Sequence, residues 1–392
     1  MHVLLFADDT VVLAPTVGSL KEKIRCLERY FDELDLIVNL QKTQVVVFRK
    51  GGRLEDDINI KYKNKPIEIV SHYVYLGVLM SSSTVFTGQA KRAKQKAIQV
   101  YQQLVHLIYR TKLHSFHAHY TLFESVVKPT LLYASPVWAP RYAEELEPVQ
   151  NNYYRRILGF SRTLSTAIIR RETASYHLKF SLWVQTLNFL GKLKNMPSNR
   201  YAFIIFNRLQ QLDREAGSEV QRRKQMPYNW VTQIRHGLLP FGLDGLISCL
   251  PEDFNENYKV SVKIIEKHFI DHDNYSIQNN AKYYHYAENC LLELPTLELS
   301  NAKQQEANSV KRTRWDQLPW YLKSESTLPQ KKLIAQLRQN SIWQKFNEQE
   351  LRIPHPSESR VCTICNTQAT DEITHTLLSC PMTAISKTKL EE

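Results

Sequence analysis

Near its beginning the sequence places two carboxylates side by side, Asp8 and Asp9, between the apolar segments 3–6 and 11–13. Adjacent like charges repel one another, and a divalent cation such as Mg²⁺ relieves the repulsion while it takes both groups as oxygen ligands. Carboxylates that hold a pair of Mg²⁺ ions can activate a hydroxyl nucleophile and position a triphosphate. An exposed β-turn at residues 7–10 explains the same residues without any chemistry, and from these residues alone it is the better interpretation.

A second group of candidate ligands lies near the end of the sequence. Cys362, Cys365, His375 and Cys380 follow the spacing C-x2-C-x9-H-x4-C. Three thiolates and one imidazole match a closed tetrahedral Zn²⁺ site, in which the two-residue gap lets one turn present both sulfurs. The alternatives are thiols that share no ligand, or a redox pair of Cys362 and Cys365. The pattern favours zinc, which would fold a segment too small for a core of its own.

The acidic pair needs a tight turn between two strands, and the flanking apolar segments predict a β-hairpin over residues 2–13. Ser19 and Glu22 have the spacing of a capping box, which predicts that a helix begins at Ser19 and continues to about Asn39. β-branched and aromatic residues predict strands at 43–48, 58–62, 67–70 and 73–79. This part of the chain is therefore predicted to be α+β.

From residue 86 the apolar spacing becomes that of a long helix. Its apolar positions fall within roughly a 100° arc, and they are Ala93, Ala97, Val100, Tyr101, Leu104 and Ile108. The opposite side is basic and carries Lys91, Arg92, Lys94 and Lys96. A basic helix side suits the phosphates of a nucleic acid; the alternative is a solvated helix surface.

Further helices are predicted at 113–127, 145–159 and 181–194. Prolines are expected at the joins between them, namely Pro129, Pro136, Pro140 and Pro148. The polar residues 195–225 predict a linker or an exposed surface, and the segment 226–355 is predicted to be mixed and mostly helical.

The composition bounds the class of protein. The chain has 392 residues, 43% of them hydrophobic, and a formal net charge of +12. The positive charge suits a polyanionic partner, but charge alone is equally compatible with a solvated basic surface. No secretory leader or apolar run of membrane-spanning length is visible. We therefore expect no membrane partner and a cytoplasmic or nuclear location.

Three motifs in the first part of the chain resemble, in order and spacing, the downstream half of a reverse transcriptase palm from non-LTR (LINE-type, jockey-like) retrotransposons. The catalytic hairpin is matched by Phe6, Ala7, Asp8 and Asp9. The helix-to-strand motif near the nucleotide is matched at 36–43, with Asn39 and Lys42 as its asparagine and lysine. The primer-grip hairpin is matched by Tyr75, Leu76 and Gly77, followed by Val78.

The resemblance extends beyond the palm. Residues 127–138 look like the thumb-region signature of these elements, and 149–159, which include Arg155 and Arg156, continue it. Jockey-like elements often end in a CCHC module followed by Cys-Pro, as at Cys380 and Pro381. The resemblance therefore implies a thumb that follows a template–primer duplex through its phosphates and a terminal zinc module that grips RNA or target DNA.

These matches imply an RNA-directed DNA polymerase with Mg²⁺ at Asp8 and Asp9, an RNA template and a DNA primer or target. The family's third catalytic carboxylate and its fingers lie upstream of the catalytic hairpin, so we expect a truncated enzyme that is inactive as an isolated chain. Self-association through exposed palm strands is also expected. The alternatives are a non-catalytic RNA- or DNA-binding protein that uses the basic helices and the zinc module, and an inert remnant of an element.

The predicted fold class is α+β: a truncated palm of β-hairpins and a helix, a mainly helical thumb-like region, and a small zinc-type module. The predicted domains are the partial palm at 1–83, the thumb-like region at 84–225, a mostly helical region at 226–355 and the CCHC module at 356–392.

Overall fold

The computed structural model describes residues 2–49, 58–215, 229–279 and 318–338, and two short strands at 360–361 and 368–369. The chain divides into two compact units, Met1–Gln339 and Asn340–Glu392. The described part of the first unit is mixed α+β and mostly helical, which confirms the predicted class at this coarse level.

The strands of the first unit form four separate two-stranded sheets among the described residues. β1 (His2–Phe6) and β2 (Asp9–Leu13) pair antiparallel, which confirms the predicted hairpin. The other strands are β3 (Gln44–Val46), β4 (Lys61–Tyr62), β5 (Lys65–Pro66), β6 (Glu68–Val70), β7 (His72–Tyr75) and β8 (Val78–Ser81). β4 pairs with β5 and β7 with β8 antiparallel, whereas β3 runs parallel to β6. The predicted strand at 73–79 is therefore two strands with a turn between them.

The first helix, α1 (Val17–Glu33), differs from its prediction at both ends. Thr16 is the N-cap, and its Oγ1 accepts a hydrogen bond of 3.2 Å from the backbone N–H of Ser19. The predicted capping box is therefore wrong, because Ser19 supplies a backbone donor. The helix ends before Asn39 because Asp35 adopts φ 52° and the N–H of Leu36 returns to the carbonyl of Phe31 at 2.8 Å.

Most of the remaining described elements are helices. They are α2 (Thr87–Thr111), α3 (Phe116–Leu122), α4 (Lys128–Leu131), α5 (Ser135–Trp138), α6 (Ala143–Leu158), α7 (Thr166–Glu172), α8 (Leu178–Lys194), α9 (Tyr201–Glu215), α10 (Trp230–Leu238), α11 (Pro251–Gln278), α12 (Trp320–Lys323) and α13 (Leu328–Arg338). A π-helical turn, Phe123–Val127, continues α3 into α4, and 3₁₀ turns lie at Ala139–Arg141, Leu239–Phe241 and Asp244–Ile247.

Two sequence predictions in this region are corrected. Pro148 lies inside α6 and not at a join, since the helix runs on through it to Leu158. The polar stretch 195–225 contains the helix α9, most of whose residues are exposed, as in the predicted exposed surface, while the side chain of Phe206 is buried. Pro129 is the second correction, because it follows the π-helical turn that joins α3 to α4 and so lies within a continuous helical stretch. Pro136 and Pro140 do lie in the first turn of short helical segments, where the absent N–H has no intrahelical partner to lose.

Two large hydrophobic clusters organise these helices. The first lies around α2, α6 and the π-helical turn, where Phe123 packs against Tyr153 and Tyr154 with ring centroids 5.1 and 5.5 Å apart. It takes residues from Val78 to Ala335 and so draws on both sides of the predicted boundaries at 83 and 225. The second lies among α8, α9, α10 and α11.

A buried ion network joins α6, α7 and α11. Arg170 donates to Glu147 Oε1 at 2.8 Å and, through two nitrogens, to both carboxylate oxygens of Asp273 at 2.6 and 2.8 Å. Burial opposes ionisation of Glu147, but a hydrogen bond from His177 and the charge of Arg170 outweigh it and lower its pKa. Because removal of one partner would leave an uncompensated charge, the network fixes how these helices pack.

Candidate active-site hairpin and nucleic-acid interface

The tip of the first hairpin presents the two predicted metal ligands. Asp8 occupies the turn and Asp9 begins β2 opposite Phe6, and both carboxylates are exposed. Ala7 adopts φ 51°, a left-handed conformation that costs a non-glycine residue energy and tightens the turn. Adjacent exposed carboxylates fit the oxygen preference of Mg²⁺. Over the described ranges, no three His, Cys, Asp or Glu side chains form a group suited to a metal ion.

The hairpin also exposes apolar surface. Leu5 and Phe6 are 73% and 61% exposed, and Leu4 and Leu13 are exposed as well. Lys23 of α1 donates a hydrogen bond to the carbonyl of Leu13 at 2.6 Å and so ties the hairpin to this helix. The predicted positions Phe6 and Ala7 are therefore accessible at the tip, on a hairpin with apolar side chains in solvent.

Asn39 and Lys42, the positions predicted to lie near a nucleotide, share one turn. The side-chain oxygen of Asn39 accepts from the backbone N–H groups of Gln41 and Lys42 at 3.1 and 3.3 Å, and its carbonyl accepts from the hydroxyl of Thr43 at 2.9 Å. Lys42 is exposed. Asn39 therefore shapes the turn, and Lys42 is the member of the pair that offers a charge to solvent.

The hairpin β7–β8 contains Tyr75, Leu76 and Gly77. Leu76 and Gly77 form its two-residue turn, both with positive φ, at 45° and 80°. Tyr133, from the thumb-like signature, donates from its hydroxyl to the carbonyl of Leu76 at 3.0 Å. A Cβ added at Gly77 would lie 3.1 Å from the ring of Tyr133. Glycine therefore meets two requirements here, backbone conformation and space.

Other side chains of the helical region anchor the same hairpin. The side-chain oxygen of the buried Gln89 on α2 accepts from the N–H of Leu79 at 2.8 Å. The indole N–H of Trp138 donates to the carbonyl of Tyr133 at 3.0 Å and so fixes the residue that clamps the turn. Sequence reasoning missed Tyr133 and Gln89, and the only signal was the position of Tyr133 within the segment 127–138.

The structure places the predicted basic residues of α2 on its outer side. Lys91 and Lys96 are exposed and Arg92 and Lys94 half-buried, whereas Ala93 and Ala97 are buried in the first cluster. No Asp or Glu occurs from residue 69 through residue 123. Every charged side chain that this stretch contributes is therefore basic.

Arg155 and Arg156 lie in the last turn of α6, where cations also complement the helix dipole. Arg155 donates to the side-chain oxygen of Asn152 at 3.3 Å and to the carbonyl of Leu164 at 2.8 Å. Arg156 is exposed. Both border an open cleft of about 660 Å³ to which Arg162, not identified from the sequence, also contributes.

The predicted zinc ligands Cys362, Cys365, His375 and Cys380 lie outside the described residues. Of this second unit, the structure describes β9 (Arg360–Val361) and β10 (Gln368–Ala369), which pair antiparallel with Val361 opposite Gln368. In the sequence, Cys362 and Cys365 both fall in the connection between these two strands.

Comparison of the chain with protein-family models, with curated proteins and with solved structures found no match. None of the described helices is both long enough and apolar enough to cross a membrane.

Proposed function

We propose that this chain is the downstream part of a non-LTR retrotransposon reverse transcriptase, with an acidic hairpin, a primer grip and a nucleic-acid-binding thumb. The observation that carries the proposal is the contact between Tyr133 and the turn of Leu76 and Gly77. Two segments that resemble separate polymerase motifs in the sequence meet directly in three dimensions. A primer grip has to adjoin the thumb, since both hold the same end of the duplex.

In this proposal the exposed carboxylates of Asp8 and Asp9 hold Mg²⁺, and the basic side of α2 contacts the phosphates of an RNA–DNA duplex. Two-metal phosphoryl transfer needs a further carboxylate. The proposal assigns that group to polypeptide outside this chain, so the isolated chain is expected to bind a template–primer without extending it.

The binding step is tested by titrating salt against the affinity for an RNA–DNA duplex. Lys91→Gln with Lys96→Gln removes two exposed charges of α2, which should lower the slope of log affinity against log salt by about 2. The matched control is Lys259→Gln with Lys263→Gln, an equal loss of charge on the exposed side of α11. Equal slopes for both variants would contradict a role of α2.

A test of metal binding at Asp8 and Asp9 distinguishes a polymerase remnant from a non-catalytic binding protein. Iron(II) takes the place of Mg²⁺ at carboxylate sites and, with peroxide, cleaves nucleic acid close to the metal. We expect cleavage of the bound primer near its 3′ end, lost in Asp8→Asn with Asp9→Asn although the duplex still binds. Binding with no localised cleavage in the unaltered chain would favour the non-catalytic alternative, which the acid-free stretch 69–123 supports equally. Metal-dependent primer extension would overturn the assignment of the missing carboxylate.

We also propose that Cys362, Cys365, His375 and Cys380 bind one Zn²⁺ as a nucleic-acid-gripping module. The spacing and the position of the first two cysteines between β9 and β10 support it. Zinc content of the whole chain should fall in Cys365→Ser and stay unchanged in Cys26→Ser, which alters an exposed thiol elsewhere. Equal zinc content in both variants would reject the site.

A further inference from the structure

An open cleft of about 660 Å³ lies where α2 meets the carboxyl end of α6. Six residues line it: Tyr101, Asn152, Arg155, Arg156, Phe160 and Arg162. They come from α2, from the last two turns of α6 and from the segment after Gly159, whose φ of 68° turns the chain at the end of the helix. The cleft therefore depends on how two helices and a connection pack, and not on one flexible loop.

The lining is positively charged. It contains three guanidinium groups and, among these six described residues, no carboxylate. Between Glu147 and Glu172 the sequence holds five arginines and no acidic residue. Guanidinium groups concentrated in this way bind phosphate oxygens with paired N–H donors. A ligand of the cleft should accordingly be a phosphate-bearing anion.

The three arginine side chains differ in how firmly they are held. Arg155 is held by hydrogen bonds to Asn152 and to the carbonyl of Leu164, so its guanidinium has a fixed place in the wall. Arg156 and Arg162 are exposed, and their side chains have room to turn toward an anion. A fixed cation beside two adjustable ones suits a chain of phosphates better than a single small anion.

Aromatic and amide groups accompany the charges. The ring of Tyr101 is half-buried and is itself supported edge-on by Tyr153, with ring centroids 6.3 Å apart. Asn152 is exposed, its oxygen accepts from Arg155, and its amide N–H groups can donate to a base edge. Grooves that combine cations with aromatic rings are typical of proteins that bind single-stranded nucleic acid. A duplex keeps the faces of its bases stacked inside, so no base would lie against the ring of Tyr101.

We propose that this cleft binds single-stranded nucleic acid, with phosphates on Arg155, Arg156 and Arg162 and a base against Tyr101. The inference rests on the proposed function and adds a second nucleic-acid site beside the duplex-binding side of α2. The volume of the cleft lies within the range of pockets that hold one small organic ligand, which corresponds to one or two nucleotides. The open form lets a strand pass across it.

The experiment measures the affinity of the full chain for a labelled, short single-stranded RNA by fluorescence anisotropy over a range of salt concentrations. Arg156→Gln with Arg162→Gln alters only exposed side chains and should lower the salt slope by about 1.4, from two single-strand phosphate contacts at roughly 0.7 each. Lys259→Gln with Lys263→Gln on α11 is the charge-matched control and should keep the slope of the unaltered chain.

A second pair of variants tests the ring. Tyr101→Leu should weaken binding by roughly fivefold or more through lost stacking, with little change in salt slope, whereas Tyr101→Phe keeps the ring and should bind normally. Circular dichroism confirms that each variant is folded. Equal binding by Tyr101→Leu and Tyr101→Phe would remove the base contact from the proposal.

The outcomes separate the two proposals. If the unaltered chain binds RNA but the arginine variant matches the lysine control, the cleft is not the site and the proposed function stands. If the unaltered chain binds no nucleic acid, the proposed function itself fails. If a mononucleotide displaces the labelled RNA completely at a concentration equal to that of the RNA, the cleft binds single nucleotides and the proposed strand site is wrong.

Discussion

Asn39 uses its side-chain oxygen to hold its own backbone, through the N–H groups of Gln41 and Lys42. Asparagine is favoured at such turns because its short side chain imitates a peptide carbonyl. The residue at which the sequence predicts a nucleotide contact therefore has a structural role in its own turn. A substitution of Asn39 would disturb the turn, so its effect on ligand binding could not be separated from its effect on the fold. The exposed Lys42 is the better position at which to test a ligand contact.

The two candidate caps of α1 give a prediction for single residues. Thr16→Ala removes the oxygen that accepts from Ser19 N–H and should lower the free energy of unfolding of this region by about 1 kcal/mol. Ser19→Ala keeps the backbone donor and should change it by less than about 0.5 kcal/mol. Urea denaturation followed by circular dichroism measures both. A larger loss in Ser19→Ala than in Thr16→Ala would restore the capping box that the sequence predicted.

The hairpins β1–β2 and β7–β8, elements of similar size, differ in the contacts that hold them. β1–β2 exposes Leu5 and Phe6, whereas Val78 of β7–β8 belongs to the first hydrophobic cluster. Side chains of α2 and of the segment 127–138 hydrogen-bond to the backbone of β7–β8. An isolated hairpin is only marginally stable in water. The acidic hairpin therefore gains less from its surroundings than the hairpin of Gly77.

The turn of β7–β8 predicts unequal effects of two glycine substitutions. Gly77→Ala places a Cβ 3.1 Å from the ring of Tyr133 at φ 80° and should destabilise the protein by about 1–3 kcal/mol. Gly18→Ala, in the first turn of α1 with open space around its Cβ position, should be neutral or slightly stabilising. The melting temperatures of the two variants, compared with that of the unaltered protein, test this difference. Equal stability would mean that the turn rearranges away from Tyr133.

Local residue patterns predicted two elements correctly. Apolar spacing predicted α2, and two apolar segments on either side of an acidic turn predicted the hairpin of residues 2–13. Tertiary contacts decided the rest. Pro148 stays inside a helix because packing outweighs the one hydrogen bond that it removes. The cleft could not be predicted, since Tyr101 and Arg162 meet only after two helices pack.

Across the whole molecule, ionisable groups in the cores make stability depend on pH. His119 is fully buried, and burial lowers its pKa from 6.5 to about 4. The unfolded chain takes up a proton below pH 6.5, whereas the folded chain does so only near pH 4. The unfolded state therefore binds more protons within this window, and stability falls as the pH falls.

A variant isolates this contribution. Between pH 6.5 and about 4, the unaltered protein should lose at most about 1.4 kcal/mol of stability per pH unit more than His119→Gln, which has no titrating ring. His106→Gln, an exposed histidine of α2, is the control and should follow the unaltered protein. Urea midpoints at several pH values give the comparison. Parallel pH profiles for the unaltered protein and His119→Gln would show that another group sets the acid sensitivity.

The stretch without carboxylates from residue 69 to 123 has a consequence for kinetics. Together with the basic side of α2, this stretch contributes a local excess of positive charge within a chain whose formal net charge is +12. A polyanion attracts such a local excess of positive charge, which would favour encounters that begin at α2. Oriented encounter speeds association and depends steeply on ionic strength. For the proposed nucleic-acid partner, first contact would therefore be fast and independent of base sequence, and the residence time would depend on the contacts that form afterwards.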